Sequence, residues 1–277
     1  MNWDSNGFSI WIDGTARQAL TNIFIASDGK ENLLKAAFNF LLLCVGLIIL
    51  FWFALSRIGV TFDFSFLPEL HVRLWDGFVM TVCLSLASLL LSLVLGVVSA
   101  VLQSSKILVL KYLSRLYVTI IRGTPLIMQI YLFFYIVGTA FGINSRFLCG
   151  VLILSVFEGA YIAEIIRGSL LSMDGTQLEA AKAVGFTKKQ TIAFVILPQL
   201  TTRTLPALTG QFASIIKDSS LLSMIAVIEL MQTMREISAI NFKMFECYLV
   251  LGILYLVLTL PISFMSKRLE RFFHYET

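Results

Sequence analysis

The chain has 277 residues, 58% of them hydrophobic and only 14% charged, with a formal net charge of +4 and a mean hydropathy of +0.87. Soluble domains run nearer half apolar and a quarter charged, so this composition excludes a water-soluble globular protein and calls for several membrane spans. The positive charge is spread over loops and the C-terminal tail, which fits membrane topology and no nucleic-acid partner.

The N-terminal stretch carries Asp4, Asp13, Asp28 and Glu31 and no leading apolar run, so a signal peptide is not expected there. A span needs about twenty apolar residues to cross about 30 Å of hydrocarbon. Six segments meet or approach that demand: about 36–56, 74–102, 115–140, 147–172, 201–225 and 246–266. The expected fold is therefore all-α and integral to a membrane, with about six transmembrane helices. Its expected divisions are 1–57 (a cytoplasmic segment and a first helix), a linker at 58–73, a core at 74–270 and a tail at 271–277. Cys44, Cys83, Cys149 and Cys247 lie in or beside apolar runs without CxxC spacing, so they read as small core residues.

Span three is interrupted at Arg122-Gly123-Thr124-Pro125. Proline removes a backbone donor and clashes one turn back, and broken backbone at membrane depth survives only inside protein or along a cavity. Thr124 and Gln129 are the candidate pathway residues at this break, while Arg122 fits an edge charge that sets topology.

Span four places Glu158 near the bilayer midplane and Glu164 about 9 Å deeper at 1.5 Å per residue. An ionisable group there costs about 2.5–3.5 kcal/mol or more and marks a functional site by default. Glu158 shares a helical face with Tyr161, Ile162 and Ile165. A carboxylate and an aromatic ring one turn apart suit a substrate ammonium or guanidinium; the alternative is a Glu158 that ties one span to another. Arg167 stands three residues after Glu164, so a local ion pair is the plain reading of that residue.

Between spans four and five lies a polar loop, 173–199, whose pattern is helix, glycine break, helix. Thr176 with Glu179, and Thr187 with Gln190, form two Thr-x-x-Glu/Gln capping boxes. Gly185 is placed to end the first helix and Pro198 to follow the second. Span five carries Lys217 and Asp218, which point to different helix faces and so need partners on other helices or in water.

Lys106, Lys111 and Arg115, then Lys182, Lys188 and Lys189, then Lys267, Arg268 and Arg271 mark three basic ends, which the positive-inside rule puts in the cytoplasm. Both termini and the 173–199 loop then lie inside. No Gly-x-x-x-x-Gly-Lys-Ser/Thr loop occurs, so the chain itself is not expected to be an enzyme or to hold a cofactor.

Glu179-Ala180-Ala181 with Gly185 resembles the coupling motif of ABC importer permeases. In order along the chain stand Arg122-Gly123-Thr124-Pro125-Leu126 with Gln129, Gly159-Ala160-Tyr161 with Ala163-Glu164 and Arg167-Gly168, then Leu205-Pro206, then Lys217-Asp218-Ser219-Ser220-Leu221. Together they are similar to the polar amino acid branch of those permeases, which includes histidine, arginine and glutamine importers, over roughly 70–270. Ser219 replaces the usual threonine and keeps the hydroxyl. The resemblance implies a five-helix type I importer core with 1–57 as an addition, in a bacterial inner membrane. It implies a separate ATP-binding subunit holding ATP and Mg, met through Glu179, Ala180, Ala181 and Gly185. It also implies a second permease copy or sister permease, an extracytoplasmic solute-binding protein, surrounding membrane lipid and a polar L-amino acid substrate. Glu158, Tyr161, Glu164, Thr124, Gln129, Lys217 and Asp218 are the pathway candidates. The competing readings are an ion-coupled carrier or channel that uses Glu158 and Asp218 without an ATPase, and a membrane scaffold that transports nothing.

Overall fold

The computed structural model describes residues 33–59 and 62–274. The expectations for the first 32 residues and for the last three lie outside the described residues. The chain divides into two compact units, Met1–Phe62 and Asp63–Thr277. The first is described by α1 (Leu33–Ile58), a helix of 26 residues whose apolar stretch is long enough to cross a membrane.

The second unit is built from α2 (Phe66–Gln103), α3 (Leu108–Gly123), α4 (Leu126–Leu132, running on as a π-helical Phe133–Gly138) and α5 (Arg146–Leu171). Then come α6 (Gly175–Ala183), α7 (Lys188–Thr191, with a π-helical Ile192–Ile196), α8 (Leu197–Asp218, with a 3-10 turn at Ser219–Ile225), α9 (Leu230–Asn241) and α10 (Met244–His274). Four described helices are long and apolar enough to cross a membrane: Leu34–Arg57, Phe66–Gln103, Arg146–Leu171 and Met244–Phe272. The pair Leu108–Gly123 and Leu126–Gly138, bent by 112° at the break, meets the same criteria when taken together, as one broken span or as a re-entrant loop. The sixth candidate, 201–225, is helical over Leu197–Asp218 but falls short on apolarity, because Thr201, Thr202, Arg203, Thr204, Gln211 and Lys217 interrupt it.

α2 begins at Phe66, within the stretch expected to be a linker. Pro68 does not prevent this, because it stands in the first helical turn, where amides have no helical partner. α2 packs along α5 through small buried residues, Ser88, Ser92 and Gly96, which meet Ser155, Gly159 and Ile162. Helices gain nothing from apolar burial against equally apolar lipid, so close backbone approach carries the packing. Gly96 is the tightest point: a Cβ there would overlap the Ile162 side chain of α5.

One apolar core joins Leu84 of α2, Val118 and Ile121 of α3, Ile130 of α4, Leu154 and Phe157 of α5, and Leu222. A second joins Leu74 of α2, Leu230 and Met234 of α9, and Leu251 of α10. Beside the second core the chain is pinned by polar contacts. Glu229 is fully buried; its carboxylate caps α9 by accepting from the Met231 and Gln232 amides, each at 2.8 Å, and from the Tyr255 hydroxyl at 3.0 Å. Lys243 donates to Asp63 and holds its exposed carboxyl at a pKa of about 2, helped by the backbone amide of Ser65. The Asp63 amide in turn donates to Glu246.

Candidate functional site

The loop after α5 forms two helices, α6 and α7, but not with the caps expected of both. Asp174 caps α6 by accepting from the Thr176 amide, which draws the Asp174 carboxyl below its ordinary pKa; Thr176 and Glu179 therefore do not form the box. The Thr187–Gln190 box is present in both directions. Gly185 ends α6 with φ +82°, the left-handed conformation that favours glycine. The Gly185 amide donates to Lys182 O and the Phe186 amide to Ala181 O, at 3.0 and 2.9 Å. Those bonds satisfy carbonyls that the helix end leaves open. Pro198 does not stop the second helix. The helical path runs from α7 through its π-helical stretch into α8, with Pro198 near the start of α8, where a missing amide costs least.

This loop is held by its own bonds. Gln199 of α8 donates to Gln177 of α6, and Arg203 donates to the carbonyl and hydroxyl of Ser172 at 2.6 and 2.8 Å. Of the motif residues, Glu179 and Ala180 are exposed, while Ala181 is only 6% exposed and packs inside the chain. Val184, which the motif letters do not flag, is 75% exposed and extends the presented face with apolar surface.

Inside the bundle, Glu158 has no exposed surface. Gln211 of α8 donates to its Oε2, its Oε1 has no hydrogen-bond partner, and Asp218 stands close enough to interact with it. The structure thus joins Glu158 to Asp218 and Gln211 across α5 and α8. Gln211 was invisible to sequence reasoning, since only the helix crossing places it here. Lys217, adjacent to Asp218, is exposed.

Tyr161 and Glu164 face a different neighbour. The Arg122 guanidinium lies 5.3 Å from the centre of the Tyr161 ring, and one of its nitrogens is 3.6 Å from Glu164 Oε1. Arg167 also grips Glu164 through two guanidinium nitrogens. The expected Glu164–Arg167 pair is present, and Arg122 joins it from α3 rather than standing alone at an edge.

Thr124 and Gln129 serve the break itself. The Gln129 amide donates to Ile121 O at 2.8 Å, Thr124 O at 3.2 Å and Thr124 Oγ1 at 2.8 Å. Thr124 donates to Ile120 O at 2.8 Å. Proline and the 112° bend strand these carbonyls in an apolar setting, and the two side chains answer them. Gln129 is 4% exposed, so its amide is turned to that task and away from an open path.

Residues 92–275 match the family model described as binding-protein-dependent transport system inner membrane component. The chain is 35% identical over 200 residues to the probable glutamine ABC transporter permease protein GlnM of Bacillus subtilis, covering 71% of this chain and 93% of that one. It is equally 35% identical over 213 residues to the glutamine transport system permease protein GlnP of Escherichia coli K12, covering 76% of this chain and 97% of that one. Among solved structures it resembles an amino acid ABC transporter with histidines, at a TM-score of 0.71 and 32% identity, over 76% of this chain and 99% of that chain. The methionine ABC transporter MetNI, inward facing, shares the fold at a TM-score of 0.59 and 20% identity, with the same coverage.

Proposed function

Because this chain belongs to the family of binding-protein-dependent transport system inner membrane components, we propose that it is the permease of an ATP-driven importer for polar L-amino acids in a bacterial inner membrane. As an ABC importer permease it is a transport subunit and not an enzyme, and its ATPase is a separate subunit. Family membership removes the self-powered carrier and the inert scaffold. ATP and Mg belong to the ATPase, and a solute-binding protein delivers substrate from the opposite side.

The observation that carries the coupling role is the shape of 174–197. Two short helices, fixed to each other by the Gly185 turn and to α8 by Gln199 and Arg203, present Glu179, Ala180 and Val184 outward at one end of the bundle. Closure of the ATPases pushes that face, and the continuous path from α7 into α8 carries the push to Asp218. Basic residues put this end and both termini in the cytoplasm. A second permease copy or sister permease completes the pathway, and α1 is an added lipid-facing anchor.

Within the pathway Glu158 and Asp218 form an acidic pair bridging α5 and α8, with Lys217 and Tyr161 on flanking faces. In this conformation the pair is closed by Gln211; a cationic amino-acid side chain takes that place when α8 moves. Thr124, Gln129 and Glu164 hold the path open by fixing the break and the arginines around it.

Cross-linking tests the coupling face. In the assembled transporter, Ala180→Cys and Val184→Cys should join to cysteines in the ATPase groove, and Ala181→Cys should react poorly because its side chain is packed within the loop. Equal reaction at all three positions, or none at Ala180 and Val184, would contradict the proposed face.

A further inference from the structure

A polar cavity of about 530 Å³ opens between the end of α2, the second half of α3 and the last turns of α5, on the side of the bundle from which α6 emerges. Gln103, Arg115, Thr119, Arg122, Glu164 and Arg167 supply its polar lining. Three guanidiniums face one carboxylate, so the site carries an excess of two positive charges.

The uncompensated charge of the site has one sign. Both Glu164 oxygens are engaged, Oε2 by Arg167 Nε at 2.8 Å and Oε1 by Arg167 and, at 3.6 Å, by Arg122. No free carboxylate is left for an ammonium group, which argues against an intact amino-acid zwitterion. Donors are left over. No ion pair among the described residues engages Arg115. Gln103 is only 7% exposed, and its Nε2, buried at the cavity wall, has no hydrogen-bond partner. A buried amide donor without an acceptor is rare in a folded protein and marks a place where an acceptor belongs.

We infer that this cavity binds a phosphate group, held by Arg115 and Arg122 of α3, Arg167 of α5 and the Gln103 amide of α2. Planar guanidinium forks match the oxygens of a phosphate, and a charge of one to two negative units matches the excess. Basic pockets between helices at the cytoplasmic side of a membrane suit anionic lipid headgroups. α3 also presents Leu113, Leu116 and Ile120, each more than half exposed, where acyl chains lie. The phosphate comes either from such a lipid or from soluble phosphate. Either one ties α2, α3 and α5 together beside the coupling loop.

The test uses the complete transporter, permease with its ATPase, in nanodiscs of phosphatidylcholine alone or mixed with phosphatidylglycerol or cardiolipin. Native mass spectrometry counts the lipids retained. The anionic lipids should be retained over phosphatidylcholine, and Arg115→Gln should weaken retention on the order of fivefold, the contribution of one basic residue at a membrane surface. Gln103→Leu, which fills similar space without a donor, should weaken it too. The melting temperature of each variant in pure phosphatidylcholine shows whether the fold survives. If inorganic phosphate, and not lipid, raises the melting temperature of the parent and does less for the variants, the soluble source is the right one. Retention equal in parent and both variants, with no effect of phosphate, overturns the inference. So does stabilisation by glutamate with none by phosphate or lipid.

Discussion

Replacing Gly185 isolates the geometry of the proposed coupling loop from its chemistry. No atom lies within 4 Å of the position a Cβ would take, so a new side chain meets no steric obstacle. The cost falls on the backbone alone, at φ +82°. An L-residue in the left-handed region costs about 1–2 kcal/mol, and a β-branched one more. The loop either holds its shape at that cost or relaxes and loses the bonds to Lys182 O and Ala181 O. In both cases the form that fits the ATPase is depopulated by a factor of about 5–30. Gly185→Val should therefore insert normally yet lose ATPase affinity by at least that factor, measured by titrating purified ATPase against permease in nanodiscs. Substrate-stimulated ATP hydrolysis should fall with it. Gly185→Asn should be milder, because asparagine tolerates this conformation better. An unchanged affinity in Gly185→Val, or an asparagine variant as damaged as the valine one, would refute the reasoning.

Further substitutions probe the bundle. Glu158→Gln removes charge at nearly constant volume; uptake of a cationic amino acid should fall about tenfold or more while glutamine uptake changes little, and loss of assembly would instead make the carboxylate a helix tie. Gln129→Leu strands carbonyls at the break at about 1–3 kcal/mol, which should appear as a lower melting temperature. Gly96→Ala overpacks the α2–α5 contact by about 1–3 kcal/mol, whereas Gly168→Ala, with nothing within 4 Å, should be neutral or slightly stabilising by the same assay. Asp63 has a folded pKa of about 2, below its ordinary value of 3.8. Its depressed pKa means the Lys243 contact contributes above pH 4 and is lost as pH falls through about 2. Proteolysis near residue 63 should accordingly be flat between about pH 5 and 8, and faster in Asp63→Asn at every pH in that range.

Helices and local turns were legible where the chemistry is local. Apolar length located four helices fit to cross a membrane and the bent pair, but not 201–225 as an apolar span, and Gly185 with the Thr187–Gln190 box is a signal contained in a few residues. Asp174 outcompeted Thr176 for the α6 cap because the helix starts two residues earlier than the box required. Pro198 misled because a proline after one helix and a proline opening another read alike. Tertiary pairings were not legible. Arg122 stacks on Tyr161, Gln211 reaches Glu158, and Gln129 caps the break only because bent and crossing helices bring them together. Glu229 gave no sign of being a buried cap, since its role depends on Tyr255 twenty-six residues away.

Proteoliposomes containing the permease, with and without its ATPase, test the central claim most directly. Uptake of a radiolabelled polar amino acid, presented with its solute-binding protein, should require the permease, the ATPase and ATP together. It should collapse in Gly185→Val while the chain remains inserted. Uptake by the permease alone, driven by a proton or sodium gradient, would contradict the account.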